Sequence, residues 1–281
     1  MSYPGVDAPY GLQPVNLIGG QVFAGSTRSL PIQYAYATNI FYGDFVKLVK
    51  GFITRAAVST GTGVNQVTGI FLGCSFTDPV TKQKRFSQYW PASTLAGDAQ
   101  AVVCDDPDTV FKAAVCSATT VMASAARALV GTNLSMIDNS AGNVNTGNST
   151  NAVLAPTDTP VTTILPVRCV GLVEETAYSF TASGSSSSTT ITLTGSGAPQ
   201  AIPVGTNVAY VATNGQIIET ASFVDTAAAA GATSITLNAA IDVPGGVTAI
   251  PNPSTIIFTV YPEILVKANL LIHGYYSSAT A

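Results

Sequence analysis

Apolar and polar residues alternate with a period of two at intervals along this chain, and that period predicts strands. Thr189-Thr190-Ile191-Thr192-Leu193-Thr194 and Thr233-Ser234-Ile235-Thr236-Leu237-Asn238 alternate in the same sense. Each is followed by an apolar-Pro-Gly turn, Ile202-Pro203-Val204-Gly205 and Ile241-Asp242-Val243-Pro244-Gly245. They read as a weak internal repeat, two similar halves of one small β unit. Shorter apolar runs bounded by Gly, Pro or Asp read as buried strands: Phe45–Val49, Phe52–Thr54, Gly69–Cys74, Ala99–Val103, Val110–Val115 and Ile164–Val173. Gly43-Asp44 suits a tight turn, and Asp105-Asp106-Pro107-Asp108 is an acidic turn between two strands. Thr120–Leu129, with Ala125-Ala126 inside it and Gly131 as a stop, is the best helix candidate.

Two stretches depart from this pattern. Pro4, Pro9 and Pro14 recur every five residues across Ser2–Gly20, with glycines between them, which excludes a helix or a central strand. Residues 1–20 therefore read as an extended arm. It is apolar nonetheless, and Tyr3, Val6, Tyr10, Leu12 and Leu17 need a surface to lie on; they are the expected contacts to a neighbouring subunit or capsid. Ser183–Ser188 reads as a flexible linker by composition. Between Thr176 and Tyr261 there is no Lys or Arg, and charged strand residues return at Tyr261–Asn269. The expected organisation is a mainly β protein: a β-barrel or sandwich body (residues 21–176 and 259–281), the arm, and a small inserted β domain (177–258).

Composition sharpens this. Charged residues make up 9% of the 281 and hydrophobic ones 47%. Ordinary soluble domains carry about a quarter charged residues. No apolar run approaches the roughly 20 residues of a spanning helix, so no membrane is expected as partner, and the surplus points to a large β core or to protein–protein contacts. The net charge of −4 argues against a nucleic-acid partner. Lys82, Lys84 and Arg85 read as a solvated hairpin tip. Cys74, Cys104, Cys116 and Cys169 form no CxxC pair and sit in apolar runs, so free buried thiols are expected rather than zinc. Met1-Ser2-Tyr3-Pro4-Gly5 lacks a secretory start, which leads us to expect synthesis in a reducing cytoplasm.

Catalytic chemistry finds little support. The single histidine, His273, lies in an apolar and aromatic context, and no GxSxG occurs. Gly61-Thr62-Gly63 is a lone Gly-x-Gly without a helix pattern after it. Glu174 and Glu175, taken as strand neighbours, point to opposite faces. No catalytic, cofactor or metal residue is expected, and no cofactor. Trp90, the only tryptophan, is expected as a core anchor or an interface anchor.

Gly11–Gly20, Thr27–Ile32 and Ala37–Val46, with Phe71-Leu72-Gly73-Cys74, Phe86–Pro91, Val170–Val173 and Ile264–Asn269, resemble the auxiliary head proteins of tailed bacteriophages, also called decoration or cement proteins. The resemblance spans Tyr10–Val173 and Tyr261–His273 and leaves out Ser179–Phe258. It implies a non-enzymatic virion component on the capsid exterior, bound to the major capsid protein and often a homotrimer. The alternative is a fibre, tail or adhesion module, with Tyr178, Tyr210 and Asn214 of the insert available to a host glycan.

Overall fold

The computed structural model describes residues 6, 8–58, 67–118, 121–139, 141–155, 165–187, 189–241 and 250–269. It is mainly β, with 50% strand against 3% helix, and it contains a nearly closed barrel-like sheet. Tyr3, Gly61-Thr62-Gly63 and His273 lie outside the described residues.

The first sheet uses β2 (Arg28–Pro31), β3 (Phe45–Val49), β4 (Phe52–Arg55), β5 (Gly69–Thr77), β6 (Lys84–Ser87) and β7 (Gln100–Cys104). Their order is β2-β7-β5-β3-β4, with β6 on β5, and a bridge between Ile32 and Ile53 brings the two ends together. Ile40, Val46, Ile53, Phe71, Phe76 and Val103 fill the interior. Trp90 belongs to the same cluster and is fully buried, with its indole edge-on to Phe76 at 5.3 Å. Its surface is used up by its own core, so it is not an interface anchor.

The second sheet is arranged around β8 (Thr109–Ala118). Its other strands are β1 (Gln13–Leu17), β9 (Val121–Met122), β10 (Asn133–Leu134), β11 (Met136–Ile137), β12 (Ala152–Leu154), β13 (Val167–Leu172) and β20 (Glu263–Ala268). The main order is β10-β13-β20-β8-β12-β11. Residues 109–111 and 113–116 of β8 are all buried, because both of its faces are covered. Phe45, Ile70 and Cys104 of the first sheet pack in one cluster with Phe111, Val115, Val167 and Val266 of the second. The acidic turn is thus a crossover between two sheets sharing a core.

The third sheet takes all its strands from residues 178–260: β14 (Tyr178–Ser187), β15 (Thr190–Leu193), β16 (Asn207–Val211), β17 (Ile217–Phe223), β18 (Ser234–Thr236) and β19 (Ser254–Val260). The order is β17-β16-β19-β14-β15-β18. A Val224–Leu237 bridge, with Asp225 N–H donating to Thr236 O at 2.9 Å, closes the ring. Phe180, Ile191, Val208, Ile235 and Phe258 form its interior. The two repeat copies become β15 and β18 and pair with each other, Ile191 opposite Ile235. The outward positions on this side are hydroxyls, Ser185–Thr192–Ser234 and Ser187–Thr190–Thr236 across the strands. A solvent face built from Ser and Thr explains how this part of the chain dispenses with Lys and Arg.

Three expectations are corrected. Ser183–Ser187 is not a linker but the end of β14, paired with β19 and β15. Its small residues are there for space: a Cβ on Gly184 would sit 2.5 Å from Thr192 O. Ser186 is buried and accepts the Ile250 N–H at 2.7 Å. Thr120–Leu129 is not a helix either. Met122 pairs with Cys116, Ala125 exchanges hydrogen bonds with Tyr261, and only Arg127–Leu129 makes a 3-10 turn. Bonds to other strands outcompete the local propensity. Glu174 and Glu175 lie in a second 3-10 turn, where Glu174 pairs with Arg127 at 3.0 Å.

β13 and β20 are antiparallel neighbours, with Leu172 opposite Ile264, and the ladder resumes as Tyr178 opposite Val260. The third sheet therefore hangs from the end of a hairpin belonging to the second. Replacing residues 178–260 by a two-residue Asn-Gly turn, which closes antiparallel neighbours, is expected to leave a body with one cooperative thermal transition. Loss of cooperativity in calorimetry would show that the body needs the third sheet to fold.

All four cysteines are free and buried. Burial pushes Cys74 up to about 12 and Cys116 and Cys169 up to about 11, and raises Cys104 as well. Since the thiolate is the reactive form, Ellman's reagent at pH 8 is expected to titrate no thiol rapidly in the native chain and all four in denaturant. The folded state also holds these protons more tightly than the unfolded one. That contribution to stability is complete below the ordinary thiol value, about 8.5, and is lost as pH rises toward 11 and 12. A melting temperature that stays flat from pH 8.5 to 11 would contradict it.

Candidate interaction surface

Of the arm residues, Leu12 packs in its own chain's core rather than on a neighbour, while Tyr10 and Leu17 contact their own chain and stay partly exposed. Leu12 is fully buried in the body core. Its N–H donates to Gly43 O at 3.2 Å, and the backbones come so close that a Cβ on Gly43 would sit 2.5 Å from Leu12 N. Gly43, at φ 87, is required there. Gln13–Leu17 forms β1 against β8, with Leu17 half-buried opposite Thr109. Pro14 is accommodated because β1 is an edge strand and bulges between Pro14 and Asn16. The Tyr10 hydroxyl donates to Glu263, a nearly buried carboxylate whose other neighbour is Lys112 Nζ at 3.4 Å. The same Lys112 lies 5.5 Å from the centre of the Tyr10 ring. Burial pushes the Tyr10 hydroxyl far above its usual range, and the hydrogen bond to Glu263 adds to this. Val6 lies at the edge of a cavity between the second and third sheets.

A second internal fastening involves Asp44, only 1% exposed. Its carboxylate accepts the Phe41 N–H at 2.9 Å, the Ser149 hydroxyl at 2.6 Å and the Asn151 amide at 3.0 Å. Arg55 Nε lies 3.4 Å away, and its Nη2 reaches Asp138 and, at 3.0 Å, Asn139 O. Burial pushes the Asp44 carboxyl upward, and Arg55, Ser149 and the Phe41 N–H pull it back. This cluster ties residues 138–151, an uncharged loop apart from Asp138, onto the first sheet.

The charged groups singled out in the sequence are tied locally. Lys84 pairs with Asp98, just before β7, at 3.0 Å, and Arg85 pairs with Asp78 at 3.7 Å across the β5–β6 hairpin. In the acidic turn Asp105 meets Arg28, Asp106 accepts the Asp108 N–H and Asp108 meets Lys267. No group of three or more His, Cys, Asp or Glu side chains able to hold a metal ion occurs among the described residues. No helix among them is long and apolar enough to cross a membrane. Tyr210 is buried inside the third sheet, which withdraws it from the surface a glycan would use. Asn214 accepts the Gln216 N–H and shapes a turn.

Large apolar side chains are exposed elsewhere. Phe86 on β6 and Val22, just after β1, are each 81% exposed, and Val80 at the hairpin tip 86%. Val15 and Ile18 of the arm are exposed too, whereas Leu12 turns inward. Between β1 and the β5–β6 hairpin runs a shallow groove of about 650 Å3. Leu72, Val102 and Phe86 supply its apolar part, Gln13, Gln88 and Asn148 its amides, with Tyr42, Gly73, Cys74 and Ser87 completing it. A register shift between Phe71 and Gly73 against Val103 and Val102 shapes the wall. Gln88 Nε2 donates to Asn148 Oδ1 at 2.7 Å and fixes one rim. Among the described residues, the only ionisable side chains lining the groove are the buried Cys74 and the half-buried Tyr42. Depletion of charge with exposed aromatic and aliphatic side chains is the pattern of an interface core.

Comparison with protein-family models, with curated proteins and with solved structures finds no match.

Proposed function

We propose that this chain is a structural virion protein that docks on the outer surface of a tailed-phage capsid and stabilises the shell, acting as a homotrimer and without catalysis. The observation that carries the reading is the groove lined by Phe86, which bears no charged side chain among its described residues, together with the exposed Val15 and Val22 in and just after the arm. A diffusing monomer has little use for such a face, while a permanent contact to the major capsid protein buries it. The sequence resemblance described above supports the same reading over Tyr10–Val173, the stretch that contains every residue of the groove. The third sheet, hung from the β13–β20 hairpin and faced with hydroxyls, suits the side turned to water.

Purified chain is mixed with tailed-phage heads stripped of their accessory proteins, pelleted, and heated. Saturable co-sedimentation with a raised melting temperature of the shell is the expected result, with light scattering of the free chain giving a trimer at micromolar concentration. Absence from the pellet, together with retention on a glycan array, would replace this reading with the adhesion alternative.

A further inference from the structure

We propose that the cavity where the outer face of the third sheet meets the Arg127 turn is a binding site for a neutral hexopyranose, held between Glu219 and Arg127. The cavity measures about 270 Å3, just under the roughly 300–1,000 Å3 of ordinary small-molecule pockets, which limits its guest to a single ring. Its lining comes from residues 127, 207–209, 219–220, 257, 259 and 261, each inside a continuous stretch of described residues. Glu219 is the only charged side chain on the six strands of the third sheet. A sheet that does without charge elsewhere keeps one carboxylate, and keeps it where the body's guanidinium lines the same cavity. The two do not pair with each other. Arg127 Nη2 donates instead to Glu174 and to the Tyr261 hydroxyl, each at 3.0 Å, and Cζ lies 5.9 Å from the centre of the Tyr261 ring. Tyr261 is fixed in turn by the two backbone hydrogen bonds it exchanges with Ala125. The guanidinium is thus held in place by its own chain, while its Nε and Nη1 N–H groups have no partner among the described residues. Between the two charged walls lies an aliphatic floor, Ala209, with Glu219 opposite it on one neighbouring strand and Ile257 on the other. Asn207 adds an amide, and Thr259 a hydroxyl that shares a hydrogen bond with Ser179 at 2.7 Å. Sugar hydroxyls donate to a carboxylate and accept from a guanidinium, while the C–H face of the ring lies on Ala209 and Ile257. An anion would meet Glu219 and a guanidinium whose charge Glu174 already matches, and a cation would meet Arg127. The site goes beyond capsid docking and shares no residue with the groove.

Saturation-transfer difference NMR on the full chain, with the methyl pyranosides of glucose, galactose and mannose as probes, tests the site. The expected result is transfer to at least one of the three, with its Kd raised at least tenfold by Glu219→Gln and by Arg127→Ala. Thr190→Ala, on the same sheet but outside the cavity, should leave that Kd unchanged. Glu219 is exposed, so Glu219→Gln keeps the fold and decides the matter even where Arg127→Ala loosens the turn. No transfer to any of the three glycosides overturns the proposal, as does transfer that Glu219→Gln leaves unchanged. Tighter binding of L-alanine than of every glycoside gives the cavity to a zwitterion and overturns it too. Co-sedimentation with stripped heads, measured on the same variants, should stay as in the unsubstituted chain, so that loss of sugar and loss of docking are read separately. A Glu219→Gln chain that no longer docks would make the cavity part of the capsid contact and refute the sugar site.

Discussion

Asp44→Ala is expected to lower the melting temperature by roughly 10 °C. Removing one partner of a buried ion pair costs about 3–5 kcal/mol, because the other charge is left without compensation, and in a chain of this size each kcal/mol moves the midpoint by about 2–4 °C. Arg55 keeps Asp138 and Asn139 through its Nη2, so the groups left behind are Arg55 Nε, the Ser149 hydroxyl, the Asn151 amide and the Phe41 N–H, all of which converge on the Asp44 carboxylate. Asp44→Asn keeps the shape but turns an NH2 toward either Arg55 and the Phe41 N–H or toward the Asn151 amide, so it should rescue little. The double variant Asp44→Ala, Arg55→Met removes both charges and should lose clearly less than the sum of the two single losses. Additive losses in denaturant titrations would mean that the pair is not coupled and that Asp44 acts only through its neutral donors.

The strands were legible because their side chains alternate. β15 and β18 announce themselves as two copies of one Thr/Ile/Leu pattern, and pairing them with each other is the simplest use of a repeat. β14 was hidden because strand propensity scales penalise Gly and Ser, whereas at Gly184 there is no room for a Cβ and Ser186 has a backbone N–H to receive. Leu12 was misassigned for a related reason. The prolines around it exclude a central strand but not an edge strand with a bulge, and the edge of β8 was open to receive one. Asp44 looked like an ordinary turn residue, since its partners Arg55, Asp138, Ser149 and Asn151 lie up to 107 positions away. The groove was illegible for the same cause: it is assembled from residues 13, 42, 72–74, 86–88, 102 and 148, no two stretches of which share a sequence pattern. What the sequence did carry was the shortage of charge that such a surface requires.

Phe86→Asp is expected to abolish capsid docking while leaving the fold intact. The side chain is 81% exposed, so replacing it costs the isolated chain little, within about 0.5 kcal/mol for a surface site of this kind. At an interface an aromatic anchor is worth about 2 kcal/mol or more, roughly 30-fold in affinity, and a buried carboxylate without a partner adds its own desolvation cost. If, as proposed, three grooves of a trimer engage the shell together, the loss compounds across subunits, and occupancy of stripped heads should fall by orders of magnitude. Lys82→Glu, at the hairpin tip outside the groove, should leave docking unchanged. Docking is read by co-sedimentation, assembly by light scattering and folding by melting temperature, all on the same preparations. If Phe86→Asp instead turns the trimer into a monomer, and the monomer still binds heads, the groove is the contact between subunits and the shell must be gripped by another face.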